Sequence, residues 1–159
     1  MLDKFIKTIS AVTALSLAAL VILILYDATM RYLFSEGSMA LQELEWHLYD
    51  VVILLSIVYT FKHNAHVRVD IFYDKFSPQM QRVINIASIL LFILPLSFLI
   101  IYVGADFVEM SFSQNETSSN PGGLTHRWIV KSLMPFAFIL LCLQAFLMLV
   151  AEIKLWRES

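Results

Sequence analysis

Residues 83–105 read VINIASILLFILPLSFLIIYVGA, 23 residues without a single charge. A helix of that length rises ~34 Å, enough to cross the ~30 Å of hydrocarbon in a bilayer. Two further runs share this character, Thr8 to Tyr26 with 19 residues and Ser132 to Ala151 with 20. A fourth stretch, Leu41 to Phe61, carries Glu43, Glu45 and Asp50 in its first half and is clean only from Val51 onward. Its acids lie near the start of the run, where the positive end of a helix dipole favours them, so it reads as a span that begins in the interface. The fold class expected is an all-α membrane protein with four transmembrane helices in one domain over 1–159, the spans at about 8–26, 41–61, 83–105 and 132–151.

Composition points the same way. The chain has 159 residues, 59% of them apolar and 15% charged, with a mean hydropathy of +0.75. Soluble domains average about 25% charged residues, and this deficit leaves too little polar surface to cover a water-soluble globule. A soluble enzyme, a nucleic-acid binder and a disordered segment are set aside on that ground. Cys142 stands alone, so neither an internal disulfide nor a dithiol redox motif is available. The first apolar run is longer than the core of a signal peptide and no small-residue cleavage site follows it, so it is expected to stay as a first helix.

The net charge of −2 is strongly partitioned. Lys4, Lys7, Lys62, Arg68, Lys75, Arg82, Lys154 and Arg157 fall on one side, against Arg31, Arg127 and Lys131 on the other. Eight of the thirteen acids fall on the base-poor side. The positive-inside rule therefore puts both termini and the middle loop in the cytoplasm, which requires an even number of spans. Interface anchors agree with that layout, with Trp46 and Trp128 at the outer boundary and Phe72, Tyr73, Phe76 and Trp156 at the inner one. Ser77-Pro78 has the form of an N-cap followed by proline at the first helical position. Pro95 and Pro135 are expected to kink or cap their helices, and Asn120-Pro121-Gly122-Gly123 to break the chain before the last one.

The apolar runs hold only mild polar groups, Thr13, Ser16, Asn85, Ser88, Ser97 and Gln144. A transporter that works alone keeps ionisable groups deep in the bilayer, and the first, third and fourth runs have none. Gln144 reads as glue between helices, with substrate contact as the alternative. Glu43, His47 and Asp50 are spaced i, i+4, i+7 and share one helical face. They read first as a polar interfacial stripe touching headgroups, a loop or a partner; the same donor set is also suited to a metal or to proton transfer. His63, His66, Arg68 and Asp70 lie on the cytoplasmic side, where they read as loop structure or lipid contact, with a metal site as the alternative. A haem-carrying anchor is a rival class, but it needs histidines inside the bilayer, and His47, His63, His66 and His126 all lie near helix ends. No metal and no cofactor is expected.

Leu41-Gln-Glu-Leu-Glu-Trp-His-Leu48, an apolar run, and then His66-Val67-Arg68-Val69-Asp70 resembles the small membrane subunit of tripartite ATP-independent periplasmic (TRAP) transporters, the DctQ-like family. The resemblance extends to Arg31-Tyr32-Leu33-Phe34, to Pro121-Gly122-Gly123-Leu124, and to Arg127-Trp128-Ile129, Lys131, Pro135 and Gln144, and so covers nearly the whole chain. It implies a bacterial inner-membrane protein that is not an enzyme. In such systems a periplasmic binding protein captures an organic acid and a large membrane subunit moves it by a sodium-driven elevator motion. The small subunit would pack on the large one and enlarge its fixed scaffold. On that implication Arg31, Glu43, Glu45, His47, Asp50, Arg127, Trp128, Lys131 and Gln144 are candidate interface residues toward the large subunit or the binding protein. His66, Arg68 and Asp70 are candidates for organising the inner loop, with a lipid headgroup as a possible contact. A small autonomous transporter is the remaining alternative.

Overall fold

The computed structural model describes residues 2–62, 73 and 75–157, with side chains described over 7–62, 73 and 75–156. His63, His66, Arg68 and Asp70 lie outside the described residues. Helix α1 spans Leu2–Leu33 and α2 spans Met39–Lys62. Helix α3, Pro78–Ser88, runs through a π-helical turn at Ile89–Ile93 into α4, Leu94–Ser113, and α5 spans Trp128–Arg157. Four helical stretches are long and apolar enough to cross a membrane: Lys7–Leu33, Met39–Lys62, Pro78–Ser113 and Trp128–Trp156.

The helices outrun the charge-free sequence runs because the polar residues at their ends find partners. Helix α1 continues past Asp27, since Arg31 one turn on donates from Nη2 to Asp27 Oδ2 at 2.7 Å. The hydroxyls of Thr13 and Thr29 donate back to the carbonyls of Ile9 and Leu25, which removes their cost in an apolar setting. Helix α3 starts as its sequence predicts. Ser77 is extended (φ −60°, ψ 153°), its Oγ accepts from the Met80 N–H at 3.3 Å, and Pro78 occupies the first turn, where a missing N–H costs nothing.

Pro95 is accommodated without breaking the third span. A proline removes one N–H from the helical ladder and crowds the carbonyl four residues back. The wider turn just before it absorbs this: the Leu94 N–H reaches back five residues to the Ile89 carbonyl. The whole stretch Pro78–Ser113 is 36 residues long. That is ~54 Å of helix, more than the hydrocarbon needs. Its polar first turns, with Gln81, Arg82 and Asn85, therefore belong to the interface. There Asn85 Nδ2 donates to Glu152 Oε1 at 2.9 Å, Tyr73 Oη donates to Asn85 Oδ1 at 3.0 Å, and Arg82 donates to the Leu155 carbonyl, so α3 is tied to the end of α5.

Packing is sequential across the molecule. Helix α1 lies on α2, α2 also meets α5, and α5 meets α3, the π turn and α4. The helices form an open row in the order α1, α2, α5, α3–α4, unlike the closed ring of a four-helix bundle. A shared core of Ile9, Leu55, Val58, Phe61, Ile89, Leu140, Leu141, Ala145 and Leu149 threads through the row. Where α4 meets α5, the residues are small: Ser97, Gly104 and Ser111 recur every seven positions and are buried. A Cβ on Gly104 would stand 3.3 Å from Met134 Cε and 3.3 Å from Pro135 Cβ. Close approach of this kind is how helices gain van der Waals contact in lipid, where burying apolar surface drives nothing. Much of the row's surface is apolar, with residues such as Leu25, Leu91, Phe92, Tyr102 and Phe146 exposed.

Candidate functional site

Polar chemistry gathers at the end of the row where α1 finishes, α2 starts, α4 finishes and α5 starts. The 114–127 connection there is a folded loop. Asn115, Gly122 and His126 have φ of 46°, 77° and 60°. The Ser118 N–H donates to the Leu124 carbonyl at 3.0 Å and the Gly123 N–H to the Asn120 carbonyl at 3.0 Å. The Arg127 N–H closes the loop on the Glu116 carbonyl at 3.2 Å. Gly122 needs the left-handed region that glycine reaches freely. Gly123 is required for space, since a Cβ there would lie 2.5 Å from Ser118 Cβ and 2.8 Å from Glu43 Oε2.

Glu43 fastens this loop to α2. Its carboxylate accepts from the Ser118 hydroxyl, from the Leu124 N–H at 2.7 Å and from Asn120 Nδ2 at 3.3 Å. A second clamp joins the loop to α5, where Glu116 pairs with Lys131 and, at 3.9 Å, with Arg127 Nε. The Lys131 hydrogen bond holds the Glu116 carboxyl below the ordinary glutamate range, with the charges of Lys131 and Arg127 adding to it. Lys131 Nζ also sits 4.0 Å from the Phe107 ring centroid, and Trp128 meets Phe112 edge to face at 5.3 Å, so the start of α5 is tied to the end of α4.

The acids of α2 divide between two sides of the helix. Glu43, His47 and Asp50 do share a face, as their spacing implies. With Trp46, Asn120, Arg127 and Val130 they line a cleft of about 250 Å³ against the loop and α5. Arg127 Nε is buried beside it without a hydrogen-bond partner. Glu45 points the other way, toward α1. It lies with Leu20, Ile24, Trp46 and Tyr49 around a groove of about 290 Å³, within electrostatic reach of Asp27 and Arg31. Asp27 is 1% exposed. Asp27 lies one residue past the charge-free first run, and α1 carries it inward against α2, where a salt bridge to Arg31 offsets the charge. The signal was the i, i+4 pair itself, which favours continued helix over a break.

Of the sequence-predicted residues, Glu43, His47, Asp50 and Arg127 come together in the cleft and Lys131 joins its rim through Glu116. Trp128 braces the same end, Arg31 and Glu45 form a separate group with Asp27, and Gln144 is buried in the middle of α5, far from both. Glu116, Ser118 and Asn120 were not singled out from the sequence, because loop residues acquire their roles only once the loop has folded. Among the described residues no group of three or more His, Cys, Asp or Glu side chains is placed to hold a metal ion.

Comparison with curated proteins gives no match. Comparison with protein families matches residues 20–155 to the tripartite ATP-independent periplasmic transporters, DctQ component. That match runs from the middle of α1 almost to the end of α5 and takes in both polar groups at the loop end. DctQ proteins are transporter components and not an enzyme family. Four membrane-crossing helices and a match over most of its length identify the chain as a member of the DctQ family, the small membrane component of TRAP transporters.

Proposed function

We propose that this chain packs on the large membrane subunit of its transporter and widens the part that stays fixed during sodium-driven, binding-protein-dependent uptake of an organic acid. The observation that carries this reading is the open row of helices. A single layer has two broad apolar faces; lipid covers one, and the other is free for a partner surface of the same kind. A moving element needs a broad, stiff neighbour, and the row is stiffened by close contact at Gly104 and Pro135 and by the polar ties at its two ends. Among the described residues the ionisable side chains lie toward the helix ends, apart from Asp50 midway along α2 in the cleft, a distribution that suits a scaffold better than an ion path.

Both termini and the 63–77 connection face the cytoplasm in this reading, on the strength of the lysine and arginine distribution. The 34–38 and 114–127 connections then face the periplasm, where the binding protein arrives. Glu43 and Glu116 hold the periplasmic loop in shape; His47, Asp50 and Arg127 present the cleft to that partner or to the large subunit. Trp128 and Lys131 brace the cleft, and Gln144 contributes a hydrogen-bonding group to helix packing. His66, Arg68 and Asp70 organise the inner loop against lipid headgroups.

Reconstitution tests the reading directly. Proteoliposomes holding this chain and the large subunit, supplied with binding protein and a sodium gradient, are expected to take up labelled organic acid. Omitting any one of these should abolish uptake. Uptake by this chain alone, or undiminished uptake by the large subunit without it, would refute the assignment.

A further inference from the structure

Asp27, Arg31 and Glu45 make an unbalanced group. Two carboxylates face one guanidinium, and Arg31 pairs with Asp27 Oδ2, at 2.7 Å. Asp27 Oδ1 and Glu45 Oε1 are both buried and have no hydrogen-bond partner. Asp27 is almost wholly enclosed, at 1% exposure. A buried carboxylate oxygen without a donor is costly in any protein and more so at the edge of a bilayer. Native structures seldom leave two such atoms in one group.

The missing donor has a way in. Leu20, Ile24 and Asp27 follow at i, i+4, i+7 on the face of α1 turned to α2, and Leu20 and Ile24 line the groove that Glu45 closes from the α2 side. The groove is otherwise apolar, formed with Trp46 and Tyr49. An aliphatic stem ending in a positive charge fits this shape: the stem would lie along Leu20, Ile24 and the rings, and the charge would reach Glu45, which is itself within electrostatic reach of Asp27. Among the described residues α1 packs chiefly on α2, which leaves the outer side of this groove open to a partner.

We infer that the α1–α2 groove receives a lysine or arginine side chain of the large membrane subunit, which completes the Asp27–Arg31–Glu45 group on assembly. The inference rests on the subunit role proposed above and names the contact through which it is made. A competing arrangement is a proton shared between the two carboxylates, which would satisfy both without a partner.

The test is co-expression with the large subunit and measurement of the apparent Kd of the purified pair in detergent. Association of the wild-type pair comes first; if it fails, the subunit role fails and the inference with it. Glu45→Gln is then expected to weaken association about thirtyfold or more, as for loss of one partner of a desolvated charge pair. Glu109→Gln, which removes an exposed acid from α4 at the same end, should leave it unchanged. A photoreactive phenylalanine at Tyr49 should label a large-subunit peptide that contains lysine or arginine. Reversing that cation to glutamate should restore binding to Glu45→Lys, a rescue that a merely structural role does not produce. Glu45→Gln binding like wild type, or no label from position 49, overturns the inference and favours the shared proton.

Discussion

Replacing Gly123 by alanine probes the device that shapes the loop end. The added Cβ would meet Ser118 Cβ and Oγ at 2.5 Å and Glu43 Oε2 at 2.8 Å. Carbon atoms rest at about 3.5–4.0 Å, so the 118–123 part of the loop must open by ~1 Å and its seat on the Glu43 carboxylate must shift with it. That movement takes Ser118, Asn120 and the Leu124 N–H off the Glu43 carboxylate. Overpacking of this kind costs ~1–3 kcal/mol, and the stiffer unfolded chain returns ~0.4–1 kcal/mol. The net expectation is a loss of ~1–2 kcal/mol. Gly37→Ala is the matched control, because nothing lies within 4 Å of its added Cβ and its φ is not positive; it should be neutral or slightly stabilising. Unfolding by SDS titration in mixed micelles, followed through Trp46 and Trp128, reads the stability, and limited proteolysis across 114–127 reads the loop. If Gly123→Ala unfolds with Gly37→Ala and its loop is cut no faster, the loop is not held against α2 by this contact and the reasoning fails.

Three further outcomes follow from the same structure. Gly104→Ala should be close to neutral, because its gain in helix propensity of ~1 kcal/mol offsets a contact only a few tenths of an ångström too tight. Gly104→Val should lose ~1–3 kcal/mol in the same titration by driving methyls into Pro135. Arg31→Ala strips the ion pair from a buried Asp27 and should destabilise the α1–α2 contact by ~1–3 kcal/mol, below the full value for a buried pair because Arg31 is itself half exposed. The Glu116 clamp has a defined pH signature. Its folded pKa is lowered, so its contribution is complete above the ordinary glutamate value of about 4.3 and is lost only as the pH falls through the lower folded value. Protease susceptibility of the loop should therefore rise at a pH below that range, and Glu116→Gln should diminish the transition, the remainder belonging to the Glu43 carboxylate that also holds the loop; an onset above the ordinary value contradicts the assignment.

Much of the fold was legible without coordinates because the bilayer imposes one rule on every residue. A run free of charge and long enough must be helical, since no water is present to satisfy its backbone, and Val83–Ala105 obeys that rule wherever its neighbours lie. Local signals carried over because they act over a few residues, as the Ser77-Pro78 cap and Gly122 do. The shared face of Glu43, His47 and Asp50 also followed from helical period alone, and they do line one cleft.

What the tertiary structure decided is what each charge is for. Spacing placed Glu43 and Glu45 two residues apart on one helix, and nothing in that spacing tells which neighbour each meets. The order of packing, α1 on one side of α2 and α5 on the other, gives Glu43 to the loop and Glu45 to Asp27 and Arg31. The same order makes an open row of helices that read in sequence as four equivalent spans. Helix formation in lipid is a local necessity, settled by composition; which faces meet is set by van der Waals fit at Gly104, Pro135 and their neighbours and by a few polar ties, and those exist only between segments far apart in the chain.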